Sequence, residues 1–553
     1  MQLQNIGSQV TEPFGDANII RSLENAVQND KTIISEDRPQ STLERLNTKG
    51  RMTAENRIRA LCDENTAWFL NEYQGFDMPR EGHNKPYRLG VICALGCICG
   101  RQAIIIANDN TITAGSWWPG TPQKITHTLD MALRLQIPVF YLIECAGLYL
   151  PHQDETFAGQ SGAGSIFEKQ AQLNRSGILQ VAAILGDCIA GGGYMPLMCD
   201  KIVMTETATL CIGGAAVTSQ SKGKIQEKLG TAAVHIHQSG CADIMVPDDE
   251  SAIQKLRTWA SQMPASACDF YRIDEPIDPP YETDDLYHLI PIDPAKPYDM
   301  EQIVARIADG AQIQPLLDHI GHEIFAASAL VDGLPVVILA NRTLTTQDSR
   351  GQHHAGSILY REGIIKMRQI CECANSDGIP VIWIQDVAGF DIGEQAESEG
   401  LLRHGAMLIR ELANDGLQAP PHMTIILRKA SGAGYYAMKG TPFHPAITIA
   451  TAFSHIEVMS PETLAGTLFD RKIKSLPPED PMRIKLEQEK SEVIRKQKDV
   501  STPQKAAMRG DIDDIVPLSS LRSAVIRFVR CAWQNASRPS KPVRLWSLFN
   551  HIQ

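Results

Sequence analysis

The chain has 553 residues, 43% apolar and 21% charged, with a formal charge of -12. That is the balance of a globular protein with substantial cores, long enough for two large domains, and its acidity argues against general nucleic-acid binding. No apolar run approaches the roughly 18 residues of a membrane span, and the opening Met1-Gln-Leu-Gln-Asn-Ile-Gly-Ser lacks the regions of a signal peptide, so a cytoplasmic, reducing setting is expected. Cys93, Cys97, Cys99, Cys145, Cys188 and Cys211 lie in apolar runs, where a free thiol acts as a small hydrophobe. Neither the first three nor His235 with His237 has the paired spacing of a zinc site, so no metal is expected.

Residues 1–50 are polar without clear periodicity and read as an extension, partly disordered or laid over another surface. Thr53 to Tyr73 has apolar residues at helical spacing and predicts an amphipathic helix. Val91 to Ile98 and Ala103 to Ala107 predict a strand pair turning at Gly100-Arg101. A helix (Lys124 to Leu135), a strand (Pro138 to Ile143) and a second helix (Ile166 to Ser176) follow. Strand, helix, strand is the unit of a parallel sheet, and hence of an α/β fold.

Gln180-Val-Ala-Ala-Ile-Leu-Gly186 then reads as a buried strand, and Ala190-Gly-Gly-Gly-Tyr194 as the start of a helix. Backbone amides at a helix start have no intrahelical partner, and glycine lets a ligand oxygen come close to them. The arrangement suits an oxyanion hole for an acyl group. The alternative is a Gly-rich turn that only lets the helix pack on the strand. Duplication favours the hole.

The second half repeats the first. Ile379-Pro-Val-Ile-Trp-Ile-Gln-Asp-Val-Ala-Gly389 answers Ile137-Pro-Val-Phe-Tyr-Leu-Ile-Glu-Cys-Ala-Gly147, and Gly432-Ala-Gly-Tyr-Tyr436 stands where Gly191-Gly-Gly-Tyr194 stood. Gly240-Cys-Ala-Asp-Ile-Met-Val-Pro247 likewise answers Gly510-Asp-Ile-Asp-Asp-Ile-Val-Pro517. Such correspondences make the chain a tandem duplication. The Pro-rich, acidic segment from Asp274 to Lys296 reads as its linker. Pro481 to Val500 predicts a solvated charged helix. Beyond Ser519 an amphipathic helix (Leu521, Val525, Phe528, Val529) is expected, with a solvated basic edge in Arg522, Arg527, Arg530, Arg538, Lys541 and Arg544.

Over about residues 85–530 the sequence resembles the biotin-dependent carboxyltransferase family, which includes acyl-CoA carboxylase beta subunits and the alpha subunit of glutaconyl-CoA decarboxylase. The resemblance rests on Ala190-Gly-Gly-Gly-Tyr194, Gln385-Asp-Val-Ala-Gly-Phe-Asp-Ile-Gly393, Tyr360-Arg-Glu-Gly-Ile-Ile-Lys-Met367 and Glu457-Val-Met-Ser-Pro-Glu-Thr463. The middle two look most like the decarboxylase. His152-Gln-Asp-Glu-Thr-Phe157 and His235-Ile-His-Gln-Ser-Gly240 look more like the methylcrotonyl-CoA type of carboxylase.

The resemblance implies two crotonase-like (ClpP/crotonase) domains of the carboxyltransferase type. Expected bounds are 1–50 for the extension, 51–285 for an acyl-CoA-side domain and 286–553 for a biotin-side domain. It also implies a homo-oligomer, dimer or higher, with each site shared between two subunits. On that analogy the amides of Gly191 and Gly192, with Gly193, hold the thioester oxygen as it becomes an enolate. Ala433 and Gly434 hold the ureido oxygen of biotin. The chain departs from common carboxylase patterns at Ser431 and Tyr436.

Neither Ile365-Lys-Met nor Ala437-Met-Lys-Gly matches the Met-Lys-Met core of biotin carriers, and no P-loop is visible. Biotin is therefore expected on a separate carrier protein, with a biotin carboxylase subunit loading it or a membrane decarboxylase complex using it. Decarboxylation of a glutaconyl-CoA-like substrate is the alternative direction. A duplicated enoyl-CoA hydratase or isomerase is a rival reading, and would need Glu144, Asp187 or Asp386 as its acid or base. A non-enzymatic assembly subunit is a further rival, opposed by intact Gly-rich turns in both halves.

Overall fold

The computed structural model describes residues 3–11, 13–82, 85–213, 229–348, 350–413 and 419–535. Gly214, Ala215, Arg538, Lys541 and Arg544 lie outside the described residues. Contacts gather the chain into two compact units, one holding residues 29–269 and 531–535, the other 3–28 and 270–530.

The first unit is built on one mixed sheet. Trp68–Leu70, Val91–Ile98 and Arg101–Asn108 run antiparallel, and Val139–Cys145, Gln180–Ile189, Lys201–Thr205 and Ile244–Val246 continue the sheet in parallel. Thr209–Cys211 pairs with the far end of Gln180–Ile189. Its core sets Ile105, Phe140, Leu142 and Val181 against Ile58 and Leu61 of the helix Ala54–Leu61 and Ile253 and Leu256 of the helix Asp249–Ser261. Each such side chain contributes about 1.5–3 kcal/mol by leaving water.

The second unit repeats this plan. Gln312–Pro315, Ile324–Val331 and Leu334–Asn341 are antiparallel, followed in parallel by Val381–Val387, His422–Ser431, Ile447–Ala450 and Asp514–Ile515, with His455–Glu457 on the end of His422–Ser431. Local details recur as well. The antiparallel pairs turn at Cys99-Gly100 (φ 51° and 78°) and Asp332-Gly333 (φ 57° and 71°), two-residue turns whose central residues both need positive φ. The register shifts between Ile143 and Cys145 and again between Gln385 and Val387. Buried Lys124 donates from Nζ to the carbonyls of Asn71 (2.9 Å) and Arg88 (3.0 Å), and Lys366, its counterpart, to that of Ile324 (2.9 Å).

Three readings of the sequence are corrected. The helix expected from Thr53 to Tyr73 is confined to Ala54–Leu61, and Trp68–Leu70 is an edge strand. The cause is tertiary: the Asp63 carboxylate accepts from the amides of Cys99 (3.0 Å) and Gly100 (2.9 Å), tying the chain to a distant hairpin turn. Residues 1–50 carry the helices Ala17–Glu36 and Gln40–Thr48, and Gln4–Asn5 pairs antiparallel with Gln312 and Ile313. The long helix buries Ile20, Val27 and Ile34, one residue in seven, too narrow a stripe to stand out in the sequence. The helix Leu521–Trp533 buries Leu521, Val525, Phe528 and Val529, yet its arginines are not a solvated edge throughout. Arg522 pairs with Asp309 at 2.9 Å and Arg530 with both carboxylate oxygens of Asp332 at 2.8 Å. The helix Pro481–Val500 buries no residue, which suits its charge.

Candidate active site

The strand Gln180–Ile189 ends at Ala190, and the helix Gly191–Leu197 begins directly after it. Ala190 has φ 53° and ψ -125°, a conformation that costs a residue with a Cβ on the order of 1–3 kcal/mol. Its amide is held by the Cys211 carbonyl at 3.0 Å, which fixes the reversal of the chain. The reversal places the first helical amides at the strand end. Gly192 is buried, and a Cβ there would lie 2.7 Å from Cys145 Sγ and 2.9 Å from the Cys145 carbonyl oxygen, so only glycine lets the helix start sit this low on the strand. The Gly193 amide donates to the Ala190 carbonyl at 3.0 Å. Gly193 is therefore set apart from the three glycines first grouped together, and the amides of Gly191 and Gly192 are the pair left at the helix start.

An aromatic wall and an apolar cavity flank this turn. Trp117 lies 3.5 Å from where a Gly191 Cβ would stand, and the Phe167 ring is 6.3 Å from Trp117 and 5.7 Å from Tyr194, centroid to centroid. The cavity, about 490 Å³, is lined by Ala190, Gly193, Tyr194, Leu197, Leu210 and His235, among others. These walls come from segments well apart in sequence, and no local pattern announces them.

The second turn repeats the first with the same sequence offset throughout. The strand His422–Ser431 leads into the helix Gly432–Ala437. Gly432 has φ 55°, matching Ala190, and Gly434 matches Gly192. A Cβ on Gly434 would lie 2.7 Å from Val387 Cγ2 and 3.2 Å from the Gly389 Cα, just as Gly192 meets Cys145, the counterpart of Val387. Ala433, like Gly191, stands less buried than the glycine after it. Ser431 is buried, and Tyr436, like Tyr194, projects from the helix. Beside this turn, Tyr360, Arg361 and Asp391 join Arg350, His354 and Gln395 around a polar pocket of about 510 Å³. Two of the motifs singled out in the sequence thus meet in one place.

The candidate side-chain acids are committed elsewhere. Glu144 accepts from Arg51 at 2.8 Å and Asn110 at 3.0 Å, and lies 2.9 Å from Arg57, which also holds Asp249 at 2.7 Å. Its side chain fills the space that a Cβ on Gly186 would need. Asp386, the counterpart of Glu144, is fully buried and accepts from Arg428 Nε at 2.6 Å. Asp187 accepts from Thr209 Oγ1 at 2.8 Å. Glu144 and Asp386 are thus structural anchors held by arginine.

Comparison with known proteins agrees with this architecture. The model of the carboxyl transferase domain matches residues 45–545. The chain is 32% identical over 382 residues to the biotin-dependent 3-methylcrotonyl-coenzyme A carboxylase beta1 subunit of Mycobacterium tuberculosis, covering 68% of this chain and 69% of that one. It is 28% identical over 527 residues to the glutaconyl-CoA decarboxylase alpha subunit of Acidaminococcus fermentans, covering 89% and 86%. The crystal structure of the geranyl-CoA carboxylase beta subunit of P. aeruginosa shares the fold, with TM-score 0.82, 22% identity and 98% of each chain covered. With two crotonase-like halves, a glycine turn repeated in each, and a family match over nearly its whole length, this chain belongs to the carboxyl transferase family.

Proposed function

We propose that the chain is a carboxyltransferase subunit that moves a carboxyl group between biotin, borne on a separate carrier protein, and an acyl-CoA. The observation that carries this reading is the pair of matching turns, each with a positive-φ residue (Ala190, Gly432) ahead of an amide pair and a buried glycine (Gly192, Gly434). Carboxyl transfer needs two such places, because negative charge develops on the thioester oxygen of one partner and on the ureido oxygen of the other.

The amides of Gly191 and Gly192 hold the thioester oxygen as the substrate becomes an enolate. Preorganised donors there need no reorganisation as charge builds, which typically contributes about 2.7–4 kcal/mol per donor. Trp117 and Phe167 wall the turn and exclude water from it. The second turn fits biotin by its backbone: Gly434 leaves the helix start low against Val387, and Ala433 stands exposed before it. Its amides, Ala433 and Gly434, hold the ureido oxygen. Biotin, when bound, supplies the carboxyl donor or acceptor. The chain acts as an oligomer in which each site draws on two copies, together with a biotin carrier and the enzyme that loads it. The arginine-held Glu144 and Asp386 speak against the hydratase reading.

The test is biotin-dependent turnover by the purified full chain. With free biotin as acceptor, carboxylated acyl-CoAs should lose their carboxyl group in a biotin-dependent way. Hydration of crotonyl-CoA with no biotin-dependent transfer on any thioester would refute the reading. Mixing Gly192→Val with Gly434→Val copies should restore activity if sites are shared; its absence in a confirmed mixed oligomer would refute the sharing.

A further inference from the structure

The carboxyltransferase reading leaves the acyl group open between a hydrocarbon chain and one ending in a second carboxylate. The cavity beside the first turn bears on that choice. Its wall includes Ala190 and Gly193, so it adjoins the thioester site of that reading, on which the present inference rests. The remaining wall is largely apolar, with Leu197, Leu210, Ile212 and Leu229 the main contributors. Tyr194, Leu197 and Ile212 are 52%, 41% and 84% exposed at this cavity, a cluster of apolar surface that a hydrocarbon would cover.

The polar groups in the wall are already used or neutral. His235 has Nε2 2.6 Å from the Leu210 carbonyl oxygen, to which it must donate, and Nδ1 2.9 Å from Ser239 Oγ. Neither nitrogen remains for a ligand. Burial pushes the Cys211 thiol up, as does nearby Asp187, so Cys211 stays neutral and the neighbouring charge is negative. Among the described lining residues there is no Lys or Arg. A carboxylate entering this space would lose its water without gaining a partner, the costliest way to bury a charge. The volume, about 490 Å³, equals the liquid share of roughly sixteen waters, far more than the methyl of a propionyl group needs.

We infer that this chain takes acyl-CoAs with an uncharged hydrocarbon chain longer than propionyl, seated in the cavity of Leu197, Leu210, Ile212 and Leu229, and discriminates against dicarboxylyl-CoAs. The glutaconyl-like direction is then disfavoured by the acyl pocket itself.

Isothermal titration of the full chain with butanoyl-, pentanoyl-, hexanoyl- and glutaryl-CoA tests this without relying on activity. Affinity should rise about fourfold per methylene from butanoyl to hexanoyl, as expected for burial of apolar chain. Pentanoyl-CoA should bind at least tenfold more tightly than glutaryl-CoA, which has the same carbon count. Leu197→Trp and Ile212→Trp, both at partly or fully exposed positions, should flatten the chain-length series. Glutaryl-CoA binding as well as pentanoyl-CoA, or affinity independent of chain length, would overturn the inference and leave the carboxyltransferase reading standing. If no acyl-CoA binds, that reading fails and takes the inference with it.

Discussion

Substituting the two buried glycines separates the two turns, because the obstacle a methyl meets is different in each. In Gly192→Ala the new Cβ would stand 2.7 Å from Cys145 Sγ, 2.8 Å from its Cβ and 2.9 Å from its carbonyl oxygen. The last is backbone of a central strand, so the helix start must lift by roughly half an ångström to one ångström, and a misplacement of that size costs on the order of a hundredfold in rate. Loss of one donor is equivalent to about 2.7–4 kcal/mol, so acyl-CoA-dependent turnover should fall a hundred- to a thousandfold. Breakdown of carboxylated biotin without acyl-CoA should persist. Cys145→Gly added to Gly192→Ala should not restore turnover, since the carbonyl remains. In Gly434→Ala the nearest obstacle is the Val387 side chain at 2.7 Å, with the Gly389 Cα next at 3.2 Å. Both reactions should fall, and Val387→Ala should recover at least tenfold by leaving only the milder contact. The assay is steady-state release of free acyl-CoA alongside CoA-free loss of the carboxyl group. If Gly192→Ala abolished only the CoA-free reaction, the two turns would be assigned the wrong way round. If neither glycine mattered, the chemistry would lie elsewhere.

Glu144→Gln should destabilise the protein by about 3–5 kcal/mol, because Arg51 and Arg57 lose a buried partner, while activity per folded molecule stays within tenfold; a folded but dead variant would revive the hydratase reading. Ala190→Gly should raise the denaturant midpoint by relieving its positive φ, on the order of 1 kcal/mol, and Gly432→Ala should lower it, since its Cβ would also meet the Val458 carbonyl at 3.0 Å; the opposite order would show that the turn is not strained as described. Stability should fall as pH rises from about 9 towards 10.5 under reducing conditions. Burial holds the thiols of Cys93, Cys145, Cys188, Cys199, Cys211 and Cys371 protonated while the unfolded chain ionises, so the folded state binds more protons there. Lys124 and Lys366, lowered by burial to about 8, act in the opposite sense over that window, but they are outnumbered. Urea midpoints that rise with pH would show that the lysines dominate.

The parts of the fold legible in the sequence are those set by local pattern. Apolar runs closed by glycine gave away the central strands, and the repeated Ile-Pro-Val segments ending at Gly147 and Gly389 gave away the duplication. The glycine turns were legible because a buried Gly against a strand end leaves a mark no other residue can. What the sequence hid depends on distant partners. The pairing of Arg57 with Glu144 and Asp249, the bond between Gly193 and Ala190, and the aromatic wall of Trp117 and Phe167 arise only once the chain has folded. The edge strand at Trp68 was hidden for the same reason, since Asp63 is recruited by the turn at Cys99 and Gly100.

The pairing of Gln4–Asn5 with Gln312 and Ile313 has a consequence for how the protein is made. The first strand to leave the ribosome belongs to the unit whose remaining strands come from the second half, and must wait, unpaired, until some three hundred further residues have emerged. The other unit waits too: Gln102 exchanges hydrogen bonds with Gln534, its amide donating at 2.6 Å and its carbonyl accepting at 2.7 Å, and Gln534 is among the last residues described. Neither half can therefore be finished during synthesis of its own stretch of chain. Cutting the gene between the two repeats would yield fragments that each lack a strip held by the other, and co-expression, rather than separate purification and mixing, is the route by which such fragments would be expected to assemble.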